Sequence, residues 1–438
     1  MNKALNKILV VVGTTGAGKT KLSVELAKAF NGEIINSDAM QMYRGLDIAT
    51  AKATTEEMQG VPHHLLSCID PVDDCTVVQY KSMALDTIHD IIARGKVPVV
   101  VGGTMYYTQS LLWKAQLMED VPPGANGEVD GSKSPLTTHA QVPTDPEEAY
   151  QKLVEVDPEM AQRWHSKDVR RVQRSLEVFY QTGTKHSELI AKQTAEASET
   201  LFDACMLWVD CERAVLNERL DKRVDKMVDD GLVPEIEDLM ASIKDHLAAS
   251  PIPLGLKGIS QAIGFKEFQP YLQAKESEII PLPQVLADCI VDLKTGTRQY
   301  AKRQITWIRN RIVPRNIPVY KLDTTDASQW ATKVTAPALA IAGAFLKNEP
   351  SPVAACKPDG DAGDDSAVSK AVKNMCEPCG NREFVGLAQW NEHLRSKGHR
   401  FHMKRLRLLE SGQLFERGPP KKAKEVTAAT TAAEEDNK

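Results

Sequence analysis

Aromatic residues, charge of one sign and long apolar runs are all scarce in this chain of 438 residues. Aromatics make up 5%, and 54 basic residues against 59 acidic ones leave a net charge of −5. This balance excludes a globally basic nucleic-acid-binding protein, so any basic surface must be local. The longest apolar runs, such as 8–12 and 97–101, are far shorter than the roughly 20 residues of a membrane span. We therefore expect no membrane association.

Cysteine is also sparse for a chain of this length. Eight cysteines, six of them scattered, do not form the disulfide framework of a small secreted domain. A strand is predicted directly behind the N-terminal residues MNKALNK, which leaves no room for the apolar region of a secretory signal. We expect a reducing compartment, with the cytosol as the default and with mitochondrial or nuclear pools left open.

Four short runs rich in valine and isoleucine predict buried parallel strands, because they are apolar without alternation. Helical patterns separate them, so the predicted fold class is α/β. We expect a doubly wound parallel sheet that carries a phosphate loop, a helical insertion and a small C-terminal zinc finger. The four runs are Ile8–Val12, Gly32–Ile35, Val97–Val101 and Met206–Asp210.

Composition divides the chain into segments, with Gly/Pro/Ser-rich stretches at the boundaries. In the insertion, the apolar residues Val169, Val172, Leu176 and Phe179 are spaced to share one helix face. The predicted segments are a first part of the core at 1–145 with an exposed loop at 122–143, the helical insertion at 146–200, the rest of the core with a helical region at 201–345, a linker at 346–370, a zinc finger at 371–410 and a disordered tail at 411–438.

A glycine-rich turn follows the first predicted strand and matches G-x-x-x-x-G-K-[ST]. Such a loop directs successive N–H groups and a helix N-terminus at an anion, and its lysine adds a positive charge. Its last hydroxyl, that of Thr20, can bind Mg²⁺. The motif predicts a diphosphate or triphosphate ligand, with Mg²⁺ as a cofactor. Its residues are Gly13, Thr14, Thr15, Gly16, Ala17, Gly18, Lys19 and Thr20.

The carboxylate that an ordinary NTPase places after a later strand is missing. The run 97–101 is followed by Gly102, Gly103 and Thr104 instead. The other candidate, Asp38, comes too early for that role, but it follows a predicted strand at the edge of the sheet where the phosphate loop lies. This position suits a residue that meets the substrate. Helix capping by Asp38 is the alternative.

Seven blocks of sequence together resemble the tRNA dimethylallyltransferases of the eukaryotic type. The resemblance covers roughly residues 8–312, with Ala49 and Met105 as departures from the family's usual pattern. It implies transfer of the dimethylallyl group from dimethylallyl diphosphate to N6 of adenosine 37 in the tRNA anticodon loop. The blocks are GTTGAGKT, INSDAMQMYRGLDIATAK, GVPHHLL, VGGTMYY, DVRRVQRSLEVFYQTG, RVDKMVDDGLVPEI and RQYAKRQITWIRNR.

The resemblance also implies roles for single residues. Asp38 would act as the general base on N6, and Thr104 would orient the reacting groups. Arg223 would contact the diphosphate, with Arg219 one turn earlier as its rival. The tRNA would contact Asp38, Ala39, Met40 and Gln41, and also Arg170, Arg171, Val172, Gln173 and Arg174.

The sequence leaves the role of two further features undecided. The stretch 298–315 has six basic residues and no acidic one, which suits phosphate contact but also a solvated helix face. His63 and His64 are adjacent, and we interpret them as structural or substrate-contacting residues rather than metal ligands.

The C-terminal pattern Cys376-x2-Cys379-x13-His393-x5-His399 is close to the C2H2 zinc pattern. We expect structural Zn²⁺, a core that contains Phe384 and Leu387, and a helix that carries both histidines, with His402 as the alternative to His399. The segment 395–407 has six basic residues and no acidic one, so we expect it to contact RNA backbone, with protein contact as the alternative. The run PPKKAK at 419–424 is compatible with a nuclear-import patch, but it is too short to predict one.

The leading hypothesis is therefore a tRNA prenyltransferase that acts as a monomer. The alternatives are an adenylate dimethylallyltransferase that makes a free cytokinin, a nucleotide or metabolite kinase with a phosphate loop, and an RNA-binding protein without activity. The helical insertion and the zinc finger favour a macromolecular acceptor, because a free nucleotide requires neither. The missing carboxylate after 97–101 disfavours the kinase.

Overall fold

The computed structural model describes residues 5–114, 142–195, 199–249, 258–277, 282–358 and 373–411. These residues separate into two compact units. The first holds the described residues from 5 to 114 and from 189 to 358, and the second holds those from 142 to 188 and from 373 to 411. Most of the predicted loop at 122–143, the end of the predicted linker and nearly all of the predicted tail lie outside the described residues.

The first unit is built on a six-stranded sheet whose strands are all parallel, in the order β3-β2-β4-β1-β5-β6. The α/β prediction and its four strands are confirmed. The two strands that were not predicted are edge strands: β3 has two residues, and β6 mixes buried and exposed positions. The strands are β1 (Lys7–Gly13), β2 (Gly32–Asn36), β3 (His63–His64), β4 (Val97–Val101), β5 (Asp203–Asp210) and β6 (Val319–Asp323).

Helices make up much of the rest of the described chain. In the part of the chain that the structure describes, no helix is long and apolar enough to cross a bilayer. The helices are α1 (Lys19–Ala29), α2 (Thr55–Met58), α3 (Val77–Ala93), α4 (Met105–Leu112), α5 (Pro146–Val156), α6 (Pro158–Arg163), α7 (Val169–Thr182), α8 (His186–Ala195), α9 (Arg213–Asp229), α10 (Leu232–Ala249), α11 (Gln269–Glu276), α12 (Leu282–Trp307), α13 (Ala336–Leu346), α14 (Leu387–Arg395) and α15 (Lys397–Glu410).

Side chains of the central strand β1 alternate between two buried layers. Ile8 and Val10 pack in one layer with residues of α3 and α4, and Leu9 and Val11 pack in the other with residues of α1 and α13. A strand that is covered on both faces has no solvent-exposed side, which explains the continuous apolar runs in the sequence. The carboxyl ends of β1, β2 and β4 therefore meet at one edge of a rigid sheet.

A third apolar cluster joins the helices that follow β5. It includes Val224 of α9, Leu232 and Ile236 of α10, and Leu293 of α12, all buried. Gly231 separates α9 from α10 with a φ of +105°, so the break predicted there is present. This cluster anchors α9 and α12, the two helices that bring side chains to the sheet edge.

The second unit contains α5 to α7 together with the C-terminal finger. Asp157 is buried at the start of α6, where its carboxylate accepts from the N–H groups of Met160 and Ser187 at 3.1 and 2.8 Å. In α7, Val172 and Leu176 are fully buried, as their spacing predicts. In the finger, β7 (Lys373–Cys376) pairs antiparallel with β8 (Arg382–Val385) and is followed by α14 and α15.

Candidate active site and metal centre

The phosphate loop lies between β1 and α1, as its motif predicts. Gly18 has a φ of +92° at the N-terminus of α1, a left-handed conformation that a side chain would strain. A Cβ at Gly18 would lie 2.6 Å from the ring of Trp330, and one at Gly13 would lie 2.4 Å from the carbonyl oxygen of Val209. These close approaches explain two of the three glycines in the motif and fix the loop at the carboxyl end of β1.

Lys19 directs its ammonium back at the loop, where Nζ donates to the Thr14 carbonyl oxygen at 2.9 Å. Burial lowers the pKa of Lys19 to about 8, an effect that Asp38 opposes and Arg223 reinforces. The buried Thr14 hydroxyl has no hydrogen-bond partner among the described residues. A desolvated ammonium and an unpartnered hydroxyl at one loop would both be satisfied by an anion. Thr20, the predicted Mg²⁺ ligand, is half-buried in the same helical turn as Lys19.

Asp38 lies just beyond β2 and is held by its own neighbours. The Asn36 side chain accepts from the Asp38 N–H at 3.0 Å and donates to the Asp38 carbonyl oxygen at 2.9 Å. One carboxylate oxygen accepts from the Met40 N–H at 3.1 Å, so Asp38 does form a local cap. Burial raises the pKa of this carboxyl group, although the charges of Lys19 and Arg223 act in the opposite direction. The site therefore contains a carboxylate of increased basicity beside two cations.

Thr104 follows β4 and binds the turn that carries Asp38. Its hydroxyl accepts from the Ala39 N–H at 3.0 Å, and its own N–H donates to the Ser37 carbonyl oxygen at 3.2 Å. A Cβ at Gly102 would lie 2.1 Å from that same carbonyl oxygen, so the turn after β4 is pressed directly against the turn after β2. The structure thus brings Thr104 and Asp38 together, as the resemblance implies.

Arg223 and Arg219 lie one turn apart on α9 but have different partners. Arg223 is half-buried and donates to the Thr15 hydroxyl of the phosphate loop at 3.2 Å. Arg219 donates to the carbonyl oxygens of Thr324 and Thr325 at 2.8 and 2.6 Å. Of the two arginines, Arg223 is the one that the structure places at the loop.

Two residues of this site were not identified from the sequence. Gln304 of α12 accepts from the Thr15 N–H at 2.9 Å and donates to the Gly103 carbonyl oxygen at 2.9 Å. Tyr300, one turn earlier, donates to the same carbonyl oxygen at 3.1 Å. Their spacing of four residues on one helix face was the available signal, but the sequence around them stands out by its positive charge rather than by these two neutral side chains.

The basic stretch 298–315, which contains Gln304 and Tyr300, is only partly available for contact with a polyanion such as RNA. Arg298 is paired with Asp221. Arg311 and Arg315 stack over Trp307 and Trp113, with distances to the ring centroids of 4.5 and 4.7 Å. The exposed basic side chains of the stretch are Lys302, Arg303, Arg309 and Arg311.

The first segment for which tRNA contact is implied forms a short helical turn beside the site. Asp38, Ala39 and Met40 are half-buried, and the Gln41 side-chain amide donates to the Thr50 carbonyl oxygen at 3.0 Å. Residues 38–41 are therefore partly accessible to solvent, and the tRNA contact implied for them stays a prediction.

The second such segment is the start of α7. Arg170, Arg171 and Arg174 are exposed there, and the Arg171 guanidinium lies 4.8 Å from the ring centroid of Trp164. Gln173 is half-buried. Val172 is fully buried in the second unit, so its side chain packs in the core, and the tRNA contact implied for this segment stays a prediction.

His63 and His64 lie outside the site and belong to the edge of the sheet. His64 Nε2 is 2.7 Å from an oxygen of the buried carboxylate of Glu33, which also pairs with Arg94 and Lys96. The hydrogen bond from Arg94, supported by Lys96 and His64, lowers the pKa of Glu33 well below its usual range despite burial. The interpretation of the pair as structural is consistent with this ion cluster.

The two departures from the family pattern are accommodated by packing. The Ala49 and Ile48 N–H groups donate to the Glu235 carboxylate at 2.9 and 2.8 Å. A Cβ at Gly264 would lie 3.1 Å from the Ala49 methyl group, so a glycine there leaves room for alanine at 49. Met105 is buried in the core layer that contains α3 and α4.

The second candidate site is in the finger, where the four predicted ligands come together. One ligand atom from each lies within 4.8 Å of the others, and the set consists of Cys376, Cys379, His393 and His399. His399 Nδ1 is 3.4 and 3.5 Å from the two sulfurs. His393 Nε2 is buried and has no partner among the described side chains. Two thiols and two imidazoles around one point, one of them unsatisfied, fit a tetrahedral metal ion such as zinc.

The finger departs from the prediction in its core and in its helix. Leu387 was expected in the core, but it is 53% exposed. Trp390 takes that place: Phe384 stacks on His393 at a ring distance of 4.1 Å and lies 5.9 Å from Trp390.

The expected single helix is also interrupted between the two histidines. Ser396 has an extended conformation, and its hydroxyl caps α15 by accepting from the His399 N–H at 3.0 Å. The cap turns His399 back toward the sulfurs. His402, the alternative ligand, is not part of the cluster.

Comparison with known proteins agrees with this geometry. A family model described as IPP transferase matches residues 41–311, more than half of the chain. The tRNA dimethylallyltransferase of Mus musculus is 37% identical over 417 residues, which cover 92% of this chain and 87% of that protein. The tRNA dimethylallyltransferase of Saccharomyces cerevisiae is 36% identical over 425 residues, which cover 91% of this chain and 92% of that protein.

Solved structures give the same answer. The crystal structure of a eukaryotic dimethylallyltransferase acting on tRNA superimposes with a TM-score of 0.75 at 35% identity, and the match covers 93% of this chain and 99% of that one. The full-length tRNA isopentenylpyrophosphate transferase of Bacillus halodurans gives a TM-score of 0.51 at 33% identity over 78% of this chain and 97% of that one. The chain therefore belongs to the IPP transferase family.

Proposed function

We propose that the chain is a tRNA dimethylallyltransferase, which transfers the dimethylallyl group of dimethylallyl diphosphate to N6 of adenosine 37 in the anticodon loop. The observation that carries this proposal is the meeting of a phosphate loop and a half-buried carboxylate, Asp38, at one sheet edge. A phosphate loop alone would suit many nucleotide enzymes. The carboxylate at this position instead suits the activation of an acceptor.

The reaction is an alkyl transfer with a balanced exchange of bonds. A bond forms between N6 and C1 of the allylic group, the bond between C1 and the bridging oxygen breaks, and diphosphate leaves with the electron pair. Adenine N6 is a poor nucleophile because its lone pair is delocalised into the ring. Asp38 accepts the N6 proton as the new bond forms, and its raised pKa makes it a better base than an exposed aspartate.

The leaving group requires positive charge on the loop side. Lys19, Arg223 and the N-terminus of α1 all lie at the phosphate loop. There they would stabilise the negative charge that grows on the bridging oxygen. The Thr20 hydroxyl would hold Mg²⁺, which would add a further positive charge at the diphosphate. Thr104 would hold the turn that carries Asp38 against the acceptor base.

The acceptor base must leave its stack to reach Asp38, as in other enzymes that modify bases. The exposed arginines of α7 and the exposed basic side chains of 302–311 supply phosphate contacts to the anticodon stem-loop. The basic segment 395–407 of the finger would contact RNA backbone in the same way. Zinc in the finger is structural, since a fold of this size needs a metal to be stable. We propose a reducing compartment, because all eight cysteines are unpaired. We also propose that the chain acts as a monomer.

The test is transfer of labelled dimethylallyl diphosphate to an anticodon stem-loop with adenosine at position 37. A stem-loop with guanosine at that position and free AMP serve as competing acceptors. We expect label on the adenosine stem-loop alone. The measurement is label per acceptor after separation of the products.

Two of the three alternatives, the cytokinin enzyme and the kinase, have their own outcome in this assay. Label on AMP but not on the stem-loop would identify the cytokinin enzyme. No transfer to either acceptor, together with ATP turnover, would identify a kinase and reject the proposal.

The arginine pair allows a matched test on one helix. Arg223→Ala is expected to raise the KM for dimethylallyl diphosphate by about 10- to 100-fold, the size of one lost hydrogen bond to a charged group. Arg219→Ala removes a guanidinium of the same helix that binds carbonyl oxygens instead, so it should lower the Tm and leave that KM within about threefold. Steady-state kinetics and thermal unfolding of both variants measure these effects. A larger increase in KM for Arg219→Ala than for Arg223→Ala would show that Arg219, and not Arg223, contacts the diphosphate.

A further inference from the structure

Gln304 is a buried amide that joins two turns of the chain. Its Oε1 accepts from the Thr15 N–H and its Nε2 donates to the Gly103 carbonyl oxygen, both at 2.9 Å. The side chain is 3% exposed, and its partners are 289 and 201 residues away in sequence. Both hydrogen bonds are therefore made away from water and fix long-range geometry.

The two turns that Gln304 joins have no strand pairing of their own. Thr15 lies beyond the end of β1, and Gly103 lies beyond the end of β4. The sheet's last backbone link between them is the Gly102 N–H, which donates to the Val11 carbonyl oxygen at 3.4 Å. Beyond that bond, the Gln304 side chain joins the two turns. Tyr300 adds a second donor to the Gly103 carbonyl oxygen at 3.1 Å.

Each of these turns belongs to a different part of the proposed active site. The turn of Thr15 lies at the proposed diphosphate site, and the turn of Gly103 lies beside the proposed acceptor site. Thr15 holds Arg223 through its hydroxyl, and Gly103 precedes Thr104. A Cβ placed on Gly103 would lie 2.5 Å from the Gln304 amide nitrogen and 3.0 Å from a carboxylate oxygen of Asp38. The brace and the base therefore meet on the same side of Gly103.

We propose that Gln304, supported by Tyr300, is a positioning residue that holds the diphosphate loop at a fixed separation from the turns of Asp38 and Thr104. The inference rests on the proposed function. Gln304 would contact no reacting atom; it would align the leaving group with the base. Since a displacement of about 1 Å in reacting groups can lower a rate about 100-fold, loss of the brace should affect kcat.

A buried glutamine elsewhere in the same unit provides the matched control. Gln109 is 1% exposed, accepts from the Trp307 indole at 2.8 Å and donates to the Arg311 carbonyl oxygen at 3.2 Å. It resembles Gln304 in residue type, burial and number of hydrogen bonds, but it does not touch either turn. Replacing each with alanine leaves a similar cavity and similar unpaired groups.

The experiment compares Gln304→Ala, Gln109→Ala and Tyr300→Phe in the full chain. For Gln304→Ala we expect kcat to fall about 100-fold, while the KM for dimethylallyl diphosphate stays within about threefold of the wild-type value. For Gln109→Ala we expect kcat to stay within about threefold of the wild-type value, although its Tm falls about as much as that of Gln304→Ala. Calorimetric binding of inorganic diphosphate should be retained by all three. If Gln304→Ala keeps its kcat, or if Gln109→Ala loses as much, the amide is an ordinary core bridge and the inference is rejected.

Tyr300→Phe provides the test of the positioning role if Gln304→Ala does not fold. It removes one hydroxyl without leaving a cavity, and we expect a fall in kcat of about fivefold at unchanged Tm. An unchanged kcat would reject the inference. A wild-type chain that transfers nothing while still binding diphosphate would instead reject the proposed function, so the two failures are distinct.

Discussion

Replacement of Asp38 with asparagine is expected to lower kcat at least about 100-fold, the scale of a lost general base. Asparagine has the same shape and can still accept from the Met40 N–H at the position that Asp38 Oδ1 occupies. The structural cap is therefore kept, whereas the proton acceptor is lost. Single-turnover transfer to the adenosine stem-loop measures the effect directly.

The same variant should be more stable than the wild type at neutral pH. Because burial raises the pKa of Asp38 above its ordinary value of 3.8, the folded chain binds the proton more tightly than the unfolded chain does. The stability contributed by Asp38 is therefore lost as the pH rises through the folded pKa, and the ionised group is destabilising above it. We expect the Tm of Asp38→Asn to exceed that of the wild type at pH 7, and we expect this difference in Tm to be smaller at acidic pH.

A second half-buried carboxylate, Glu235, shows whether the loss of activity depends on the position of Asp38 or only on the partial burial of a carboxylate. Burial also raises the pKa of Glu235, which accepts backbone N–H groups from Ile48 and Ala49. Glu235→Gln should keep kcat within about threefold. If Asp38→Asn retains more than about a tenth of wild-type kcat, Asp38 is only a cap and the general-base role is wrong.

The pH profile gives an independent reading of the same site. The kcat/KM for dimethylallyl diphosphate should be bell-shaped, because the reaction needs Asp38 ionised and Lys19 charged. The acid limb should lie above the ordinary aspartate value and disappear in Asp38→Asn. The alkaline limb should lie near pH 8, the value to which burial lowers the pKa of Lys19.

The sequence predicted those parts of the site whose residues lie close together in the chain. The phosphate loop occupies residues 13–20, and its strand–loop–helix setting follows from the apolar run that precedes it. The four candidate metal ligands lie between 376 and 399, where spacing alone places them around one point. In both cases local geometry brings the groups together, so a linear pattern is enough.

Residues whose partners are distant in sequence could not be predicted in the same way. Gln304 meets Thr15 and Gly103 only because α12 packs across the sheet edge, and a neutral amide carries no charge signal. The positive charge of the surrounding stretch was visible, but its pairing with Asp221 and its stacking on tryptophan were not. Tertiary contacts, rather than composition, decide which charges remain available.

The finger shows the same limit on a smaller scale. Leu387 and Trp390 are three residues apart, and both are apolar enough for a core position. The stacking of Phe384 on His393 leaves room for a flat ring, so Trp390 packs there and Leu387 faces solvent. A choice between two neighbouring apolar residues depends on this packing, which a spacing rule does not contain.

Within the second unit, the finger is joined to the helical insertion by a buried charge. The Glu383 carboxylate accepts from the Ser166 N–H and hydroxyl at 3.2 and 2.9 Å and pairs with Lys373 at 2.8 Å. Burial alone would raise the pKa of Glu383, but the hydrogen bonds from Lys373 and Ser166 lower it below its usual range. The Lys373 ammonium also lies 4.4 Å from the ring centroid of Tyr150. The hairpin that supplies two metal ligands thus also supplies the contacts to the insertion.

Loss of zinc is therefore expected to unfold the finger and to loosen the insertion. Binding of a structural zinc ion contributes about 10–16 kcal/mol in small fingers, and the Phe384 cluster is too small to replace it. Cys376→Ser should abolish stoichiometric zinc. Backbone amides of 373–411 should lose their protection from hydrogen exchange, and those near Tyr150 and Ser166 should lose part of theirs, while β1 and β4 stay protected. Zinc analysis and hydrogen-exchange mass spectrometry measure these changes.

His402→Ala is the control, because His402 lies in the same helix as His399 but outside the ligand cluster. This variant should keep one zinc per chain and full protection of the finger. If it loses zinc instead, the ligand set is wrong, since His402 would then be taking the place of His399. If Cys376→Ser loses zinc and unfolds the finger while the amides near Tyr150 and Ser166 keep full protection, the contacts of Lys373 and Glu383 do not support the insertion. Partial loss of protection at those amides, together with unfolding of the finger, would show that metal binding also stabilises the insertion, whose helix α7 carries Arg170, Arg171 and Arg174.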